Sequence, residues 1–479
     1  MPEPRTWQLT ACSAVLGLAL AAGAVTAAGP WDNGQRKAER ARAAAATPTG
    51  GAHHAPPAAP RRPAPAPAPS APGVLRPLDA AGSTQPGDLA AVLAPLLADP
   101  GLGPLRTASV VDATTGEQLY GEGAGTAMTP ASTIKIATSV AALSALGPDH
   151  RIPTTVVAGP DGRTLTLVGG GDPTLDRARL KTLAADTARA LKARGVTAVR
   201  LTYDTSLYQG PARHPIGRNE NLAPVTALMI NAGRPDGIDH GRAVRSDDPA
   251  ADAATAFAEL LTEAGTKVQG APTPGRAPKP AAGTTSAPLA RTESAPLSAL
   301  VERTLTDSDN DLAEALARQT ALARKQPASF TGAGKAVQAE LAALGLPTAG
   351  ARFADGSGLS RDDRLSAALL TGLLTRAADP ARPALRPVLT GLPVGGFSGT
   401  LEDRFDTGPA LGGAGLVRAK TGTLTGVNTL AGTVVTADGR LLAFAFLAGR
   451  TPSPYQAQPA LDRLSAALAP PSGTVPNLP

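Results

Sequence analysis

Apolar positions along the chain change their period several times, and each change marks a different kind of element. From Asp88 the run DLAAVLAPLL repeats its apolar residues at helical spacing. Residues 109–112 and 118–120 read as two short strands that turn at Thr115-Gly116. A helix is predicted next, with Thr129 as its cap, Pro130 at its first position, Ile136, Val140 and Leu143 as its apolar stripe, and Gly147-Pro148 as its stop. Between about 152 and 288 the pattern shifts to short strand-like pieces, TTVVAG, TLTLVGG and AVRLTYD, separated by glycine turns and a proline-rich patch. This stretch predicts an inserted, β-rich unit. A second amphipathic helix opens at Ser294-Ala295-Pro296, with Leu297, Leu300, Val301 and Leu305 on one face. Near the C-terminus, residues 429–436 and 441–447 are apolar strands joined through Asp438-Gly439, a favoured tight-turn pair, and a short helix is predicted near 461–468. There is no internal repeat.

Two stretches follow neither period. Residues 9–28 are mostly apolar, follow Arg5 and end before Gly29-Pro30, which is the shape of a secretory signal. Ala27 and Ala28 suit cleavage, while the length of the run also suits an uncleaved membrane anchor. Residues 48–77 hold ten prolines in thirty, including PAPAPAPSAP, and read as an extended spacer. The expected organisation is a signal or anchor at 1–29, a Pro/Ala-rich linker at 30–84, a catalytic domain split between 85–152 and 289–470, the inserted β-rich domain at 153–288, and a tail at 471–479. The only cysteine, Cys12, lies in the leader, so the folded part is expected to stand without disulfides, as its size permits.

Charge sharpens this division. The chain of 479 residues carries a net +6, but its first 80 residues hold eight Lys/Arg against four Asp/Glu, a net +4, which leaves +2 for the rest. A nearly neutral folded part with only 3% aromatic residues has neither the basic face nor the stacking platform of a nucleic-acid-binding domain. Candidate chemistry narrows it further. Two of five histidines, His53 and His54, lie in the spacer, and His150, His214 and His240 sit in loop-like contexts, so a Ser-His-Asp hydrolase is hard to assemble. There is no HExxH, no cysteine pair and no G-x-x-x-x-G-K-[ST] loop, so neither metal nor other cofactor is expected. Gly169-Gly170-Gly171-Asp172-Pro173 reads as a structural turn.

What remains is Ser132-Thr133-Ile134-Lys135. Residues i and i+3 of a helix share a face, which puts the Ser132 hydroxyl within reach of the Lys135 amine. A serine needs a base to become a nucleophile, and an amine serves only if burial or a neighbouring cation lowers its pKa. Two more strings follow in order, Ser308-Asp309-Asn310 and Lys420-Thr421-Gly422, and the three together are a signature of penicillin-recognising serine enzymes. Ser308 can relay a proton to a leaving amine, Asn310 can orient Lys135 or the substrate, and Lys420 can hold a terminal carboxylate and depress the pKa of Lys135. Gly422 leaves room for a substrate backbone beside the strand. The chain uses only 9 Lys against 36 Arg, and arginine could not give up a proton where Lys135 must.

With these motifs placed, the sequence resembles the class C low-molecular-mass penicillin-binding proteins, the D-alanyl-D-alanine carboxypeptidase/endopeptidase family. PASTIKIATSVAALSALGPDHR, GGGDPTL, LAPVTAL, SAPLSALVERTLTDSDNDLAEAL, DGSGLSR, LPVGGFSGTLEDRF and AKTGTLTGVNTLAG carry the resemblance across most of residues 88–450. It implies an α+β fold, an antiparallel sheet flanked by helices, with a region inserted between the first two motifs. It further implies an acyl-enzyme serine peptidase acting on D-Ala-terminated peptidoglycan stem peptides or their crosslinks, with β-lactams as covalent inhibitors. By the same resemblance Ser132 is the nucleophile, Lys135 the base, Ser308 the relay and Asn310 its orienting amide. Lys420, Thr421, Gly422 and Thr423 line the substrate end, and the Ser132 and Thr423 N–H groups form the oxyanion hole. Ser132 and Ser308 are separated by 176 residues, a shorter insert than in larger relatives, and the loop at 214–221 lacks the Trp and Asp that some relatives carry. A β-lactamase would need a further glutamate to activate the deacylating water. Glu314, Glu340 and Glu402 lack the flanking pattern expected of one. A non-catalytic wall-binding module is the third reading, set against seven intact motif positions.

Overall fold

A computed structural model describes residues 86–278 and 287–469. The leader or anchor, the linker and the tail expected from the sequence lie outside the described residues. The chain enters through α1 (Pro86–Leu97), then runs through β1 (Leu105–Asp112), β2 (Gln118–Glu122), β3 (Ala127–Met128) and α2 (Ile134–Leu146). A second group follows: β4 (Pro153–Ala158), β5 (Thr164–Val168), α3 (Arg177–Lys192), β6 (Ala198–Asp204), α4 (Pro249–Glu263), β7 (Lys267–Val268), β8 (Thr273–Pro274) and β9 (Ala290–Glu293). The return is α5 (Leu297–Thr306), α6 (Asn310–Ala323), α7 (Phe330–Ala343), β10 (Leu365–Ser366), α8 (Ala367–Ala378) and α9 (Pro387–Thr390). It closes with β11 (Arg418–Leu424), β12 (Val427–Val435), β13 (Leu441–Gly449) and α10 (Pro454–Ala466).

The main sheet is antiparallel throughout, in the order β11-β12-β13-β1-β2. Its central strand shows why it forms. β13 reads LLAFAFLAG, apolar on both faces, as a strand covered on both sides must be. Leu442, Phe444, Phe446 and Ala448 point into a core shared with α1 and α10, and the two phenylalanine rings stack 5.3 Å apart. Ala443, Ala445 and Leu447 point the other way, into the core formed with α2, α5, α7 and α8. The expected hairpin turns where Asp438-Gly439 stands, with Val435 opposite Leu441 and Gly439 at φ +78°.

The segment from β4 to β9 builds a second sheet, β7-β6-β5-β4-β9, with β8 also paired to β6. β5 and β6 are parallel, joined across α3, and α3 and α4 cover this sheet with their own apolar core. The strands read from the sequence are accompanied by these two helices. β9 continues the second sheet past residue 288, so the segment ends only where α5 begins. Residues 205–248 form a long connection with little regular structure, and loops of that length usually have a task.

Two details around Ser132 differ from the helix drawn from sequence. Thr129 is not a cap, since its hydroxyl lies 3.5 Å from the Arg361 carbonyl, and the chain makes a 3₁₀ turn at Ala131–Thr133 before α2 begins at Ile134. Every residue of α2 from Ile134 to Leu143 is buried, because α5, α6, α7 and α8 enclose it, so burial extends beyond the apolar stripe to Lys135, Thr138 and Ser139. The last helix also starts earlier than expected, at Pro454.

Candidate active site

Ser132, Ser308, Asn310, Thr421 and Thr423 line one cleft of about 430 Å³, and Lys135, Lys420 and Gly422 lie buried directly behind it. Each is held by a local reason. Ala131, at φ +48°, opens the tight turn that presents Ser132 at the foot of α2. Thr133 and Thr429 both donate to the Pro130 carbonyl, at 2.7 and 2.8 Å, which ties this turn to β12. Gly422 lies on β11 against the same turn. A Cβ there would come within 2.1 Å of the Thr429 hydroxyl and 2.7 Å of the Pro130 carbonyl. The missing side chain therefore makes room for the serine turn itself, a use that the sequence reading assigned to substrate. Ser308 sits at φ +56°, and Asp309 then caps α6 by accepting from the Leu312 N–H at 3.0 Å, so Asn310 becomes the first helical residue.

Lys135 is the hub. Its ammonium has three protons and meets three acceptors: the Ser132 hydroxyl at 2.9 Å, Asn310 Oδ1 at 2.7 Å and the Ser357 carbonyl at 2.6 Å. The Asn310 amide cannot turn over, because its Nδ2 donates to the Asn221 carbonyl at 3.0 Å. If Lys135 loses a proton, two N–H bonds remain for Asn310 and Ser357, and the lone pair is left facing Ser132. Burial lowers the Lys135 pKa to about 8, against the opposing pull of Asp355, Asp309, Glu314 and Asp363. Burial, rather than the second lysine, is the chief cause.

Lys420 is equally buried and much less satisfied. It donates to the Thr421 carbonyl at 2.9 Å, and the Thr421 hydroxyl lies at 3.5 Å. Its pKa is well below the usual lysine range, through burial first and the charge of Lys135 second. Thr421 in turn donates to the Thr400 hydroxyl at 2.8 Å. Thr423 is exposed at the cleft.

Several residues at this site carry no motif. Glu314 on α6 is buried, accepts from the Gly356 and Ser357 N–H groups at 3.0 Å each, and receives Arg318 at 3.1 Å. The long connection brings Arg234 and Arg245, both buried, to Asp309 and Asp311, with Arg245 3.1 Å from Asp311. Burial and the charge of Asp309 push Asp311 up to about 7, against Arg245. Local spacing gave no sign of these partners.

The antiparallel sheet between helical layers, with Ser132 at the foot of a buried helix and two lysines behind it, defines the penicillin-recognising serine-enzyme fold. Crystalline penicillin-binding protein 4 of Haemophilus influenzae superposes with a TM-score of 0.64 at 22% identity, covering 80% of this chain and 98% of that one. The sequence profile of the D-Ala-D-Ala carboxypeptidase 3 (S13) family matches residues 89–237 and 235–468, and the chain belongs to this family of serine peptidases. Carboxypeptidase DacB of Mycolicibacterium smegmatis is 40% identical over 454 residues, 89% of this chain and 93% of that protein. The D-alanyl-D-alanine carboxypeptidase of an Actinomadura species is 29% identical over 435 residues, 72% and 78% of the two chains.

Proposed function

We propose that the protein cleaves D-Ala-terminated peptidoglycan stem peptides, or the crosslinks between them, through an ester on Ser132. Neutral Lys135 takes the Ser132 proton as Oγ attacks the scissile carbonyl carbon. The Ser132 and Thr423 N–H groups hold the oxyanion, each donor contributing roughly 3 kcal/mol. The proton then passes through the Ser308 hydroxyl to the departing amine, and the C–N bond breaks. Water, deprotonated by the same base, hydrolyses the ester. Lys420, with Thr421 and Thr423, receives the terminal carboxylate. The observation that carries this reading is the three-acceptor geometry of Lys135, which aims the neutral amine at Ser132.

β-Lactams would acylate Ser132 and remain. Persistence is supported at two of the three glutamates weighed from sequence: Glu314 has both oxygens bound to the Gly356 and Ser357 amides and Arg318, and Glu340 accepts from Ser144 and Arg324. Neither is free to activate a water. The expected leader and spacer would place the domain outside the cytoplasmic membrane, beside its polymer. Among the described residues no helix is long and apolar enough to cross a membrane. The test is labelling of wild type and Ser132→Ala with fluorescent penicillin, together with D-alanine release from a pentapeptide stem. Wild type should do both and the variant neither; rapid turnover of penicillin, or no reaction at all, would refute the reading.

A further inference from the structure

The Ser357 carbonyl that receives Lys135 belongs to the turn Asp355-Gly356-Ser357-Gly358. This turn passes through a space that only glycines fit. A Cβ on Gly358, at φ +86°, would come within 2.1 Å of the Ala131 carbonyl, and one on Gly356 within 2.7 Å of the Ala313 carbonyl. The turn therefore abuts both the serine turn and α6. Two carboxylates set its shape, Glu314 from α6, which accepts from the Gly356 and Ser357 N–H groups, and Asp355 from within the turn. Asp355 Oδ1 accepts from the Ser357 and Gly358 N–H groups at 3.0 and 2.6 Å, and Oδ2 accepts from the Ser360 N–H at 2.7 Å.

The fourth partner of Asp355 comes from the long connection within the inserted segment. His214 Nε2 lies 2.9 Å from Asp355 Oδ2, and both side chains are buried. His214 Nδ1 accepts from the Ile216 N–H at 3.2 Å, which assigns the ring proton to Nε2, facing the carboxylate. Its ring also meets Phe330 edge-on, with centroids 5.2 Å apart, and Arg318 lies over the other part of that contact, 4.2 Å from the Phe330 centroid. Glu314 and Arg318 are the other charged groups near the imidazole, and Asp363 lies beside Asp355.

We propose that His214 and Asp355 act as a positioning pair, through which the inserted segment holds the Ser357 carbonyl against Lys135 and so keeps the amine aimed at Ser132. Neither residue lines the cleft. The pair works by preorganisation: a buried carboxylate that loses a donor relaxes toward other partners, and here relaxation moves the turn that Lys135 depends on. This rests on the proposed role of Lys135 as base.

The test compares His214→Leu, which removes the donor, with His214→Gln, whose amide N–H can reach the same oxygen, in the full chain. The readouts are the second-order rate of acylation by fluorescent penicillin across pH, the melting temperature, and crystal structures of both variants. His214→Leu should acylate about tenfold more slowly, as expected when a hydrogen bond to a buried carboxylate is lost. The ascending limb of its pH profile should move, because Lys135 loses part of its setting among Asp355, Asp309, Glu314, Asp363 and Lys420. His214→Gln should recover most of the rate. In the crystals the 2.6 Å contact between Lys135 and Ser357 should be lost with Leu and kept with Gln. Wild-type rate and profile in His214→Leu, or equal impairment of the two variants, would overturn the proposal. If wild type itself is not acylated, the reading of Lys135 as base fails, while the crystal comparison still decides whether the pair positions the turn: an unchanged contact in His214→Leu overturns it.

Discussion

The two walls of the cleft each bury a lysine, and they treat it in opposite ways. On the helical wall, Lys135 finds three acceptors, and nearby carboxylates, Asp355 first, offset part of its burial. On the strand wall, Lys420 has one good acceptor, a neighbouring cation, and only Asp307 pulling in its favour. Taking an ammonium out of water is costly unless it is paired. One wall is complete by itself and can cycle a proton between fixed partners; the other is left wanting an anion. That contrast is the physical basis for proposing Lys135 as the base and Lys420 as the seat of a substrate carboxylate.

The largest effect should come from breaking the completed wall. Lys135→Met should slow acylation of Ser132 by about 10³-fold, the usual scale of a lost general base. Lys135→Arg should be no better, because a guanidinium keeps its proton at any working pH. Since the Lys135 pKa is lowered to about 8, the reactive neutral form accumulates as pH rises, and wild-type acylation should climb through pH 8 and then level. A rate independent of pH between 6 and 9, measured as penicillin labelling, would sink the assignment.

The second prediction tests the wall that awaits an anion. Lys420→Met should lower acylation by a carboxylate-bearing penicillin by about 30-fold, equivalent to a lost charge-assisted contact of roughly 2 kcal/mol. The corresponding methyl ester should react poorly with wild type and nearly as well with the variant. Equal loss for acid and ester would mean that Lys420 serves Lys135 rather than the substrate.

A smaller change should follow at the seam between the walls. Gly422→Ala places a methyl group against Thr429, Pro130 and Ser132, so the serine turn or β11 must shift. Overpacking of this kind costs about 1–3 kcal/mol, and the acylation rate should fall about tenfold. The D-Ala peptide and penicillin should be affected alike, because the methyl group displaces the nucleophile rather than one substrate's contacts. Selective loss of the peptide reaction would restore the reading that Gly422 leaves room for substrate.

The same contrast explains what could be read from the chain and what could not. The central hairpin is local: two apolar strands with Asp438-Gly439 between them leave few other structures. The three motifs are local strings as well, and one sequence suffices to see them. The third acceptor of Lys135 is a backbone carbonyl 222 residues away, which any residue type could supply, so no side chain advertises it. His214 looked like a loop histidine because its partner Asp355 is 141 residues distant and the loop's own polarity gives no sign of burial. In the inserted segment the strand-like pieces and glycine turns are the stronger local signal, although α3 and α4 carry amphipathic spacing in the same stretch. Even the foot of α2 was displaced by one turn, because Pro130 fits a 3₁₀ start as readily as an α-helical one.

The smallest expected effect lies behind the helical wall and is one of stability. Burial, and then the negative charge of Asp355, raises Asp363 to about 9, so the folded protein holds a proton that the unfolded chain releases near the ordinary carboxyl value. The sign follows. Stability from this group is fully present in acid and is lost steadily as pH rises toward 9. Asp363 accepts from the Ala354 and Asp355 N–H groups at 2.7 and 3.3 Å. Asp363→Asn keeps that accepting oxygen, and its amide replaces the protonated half of the carboxyl beside Asp355. The variant should melt close to wild type near pH 4 and a few degrees above it at pH 8, while acylation by penicillin stays close to the wild-type rate because Lys135, Asn310 and Ser357 keep their contacts. A lower melting temperature at pH 8 would mean that Asp363 is ionised in the folded protein and that its charge is part of what steadies the helical wall.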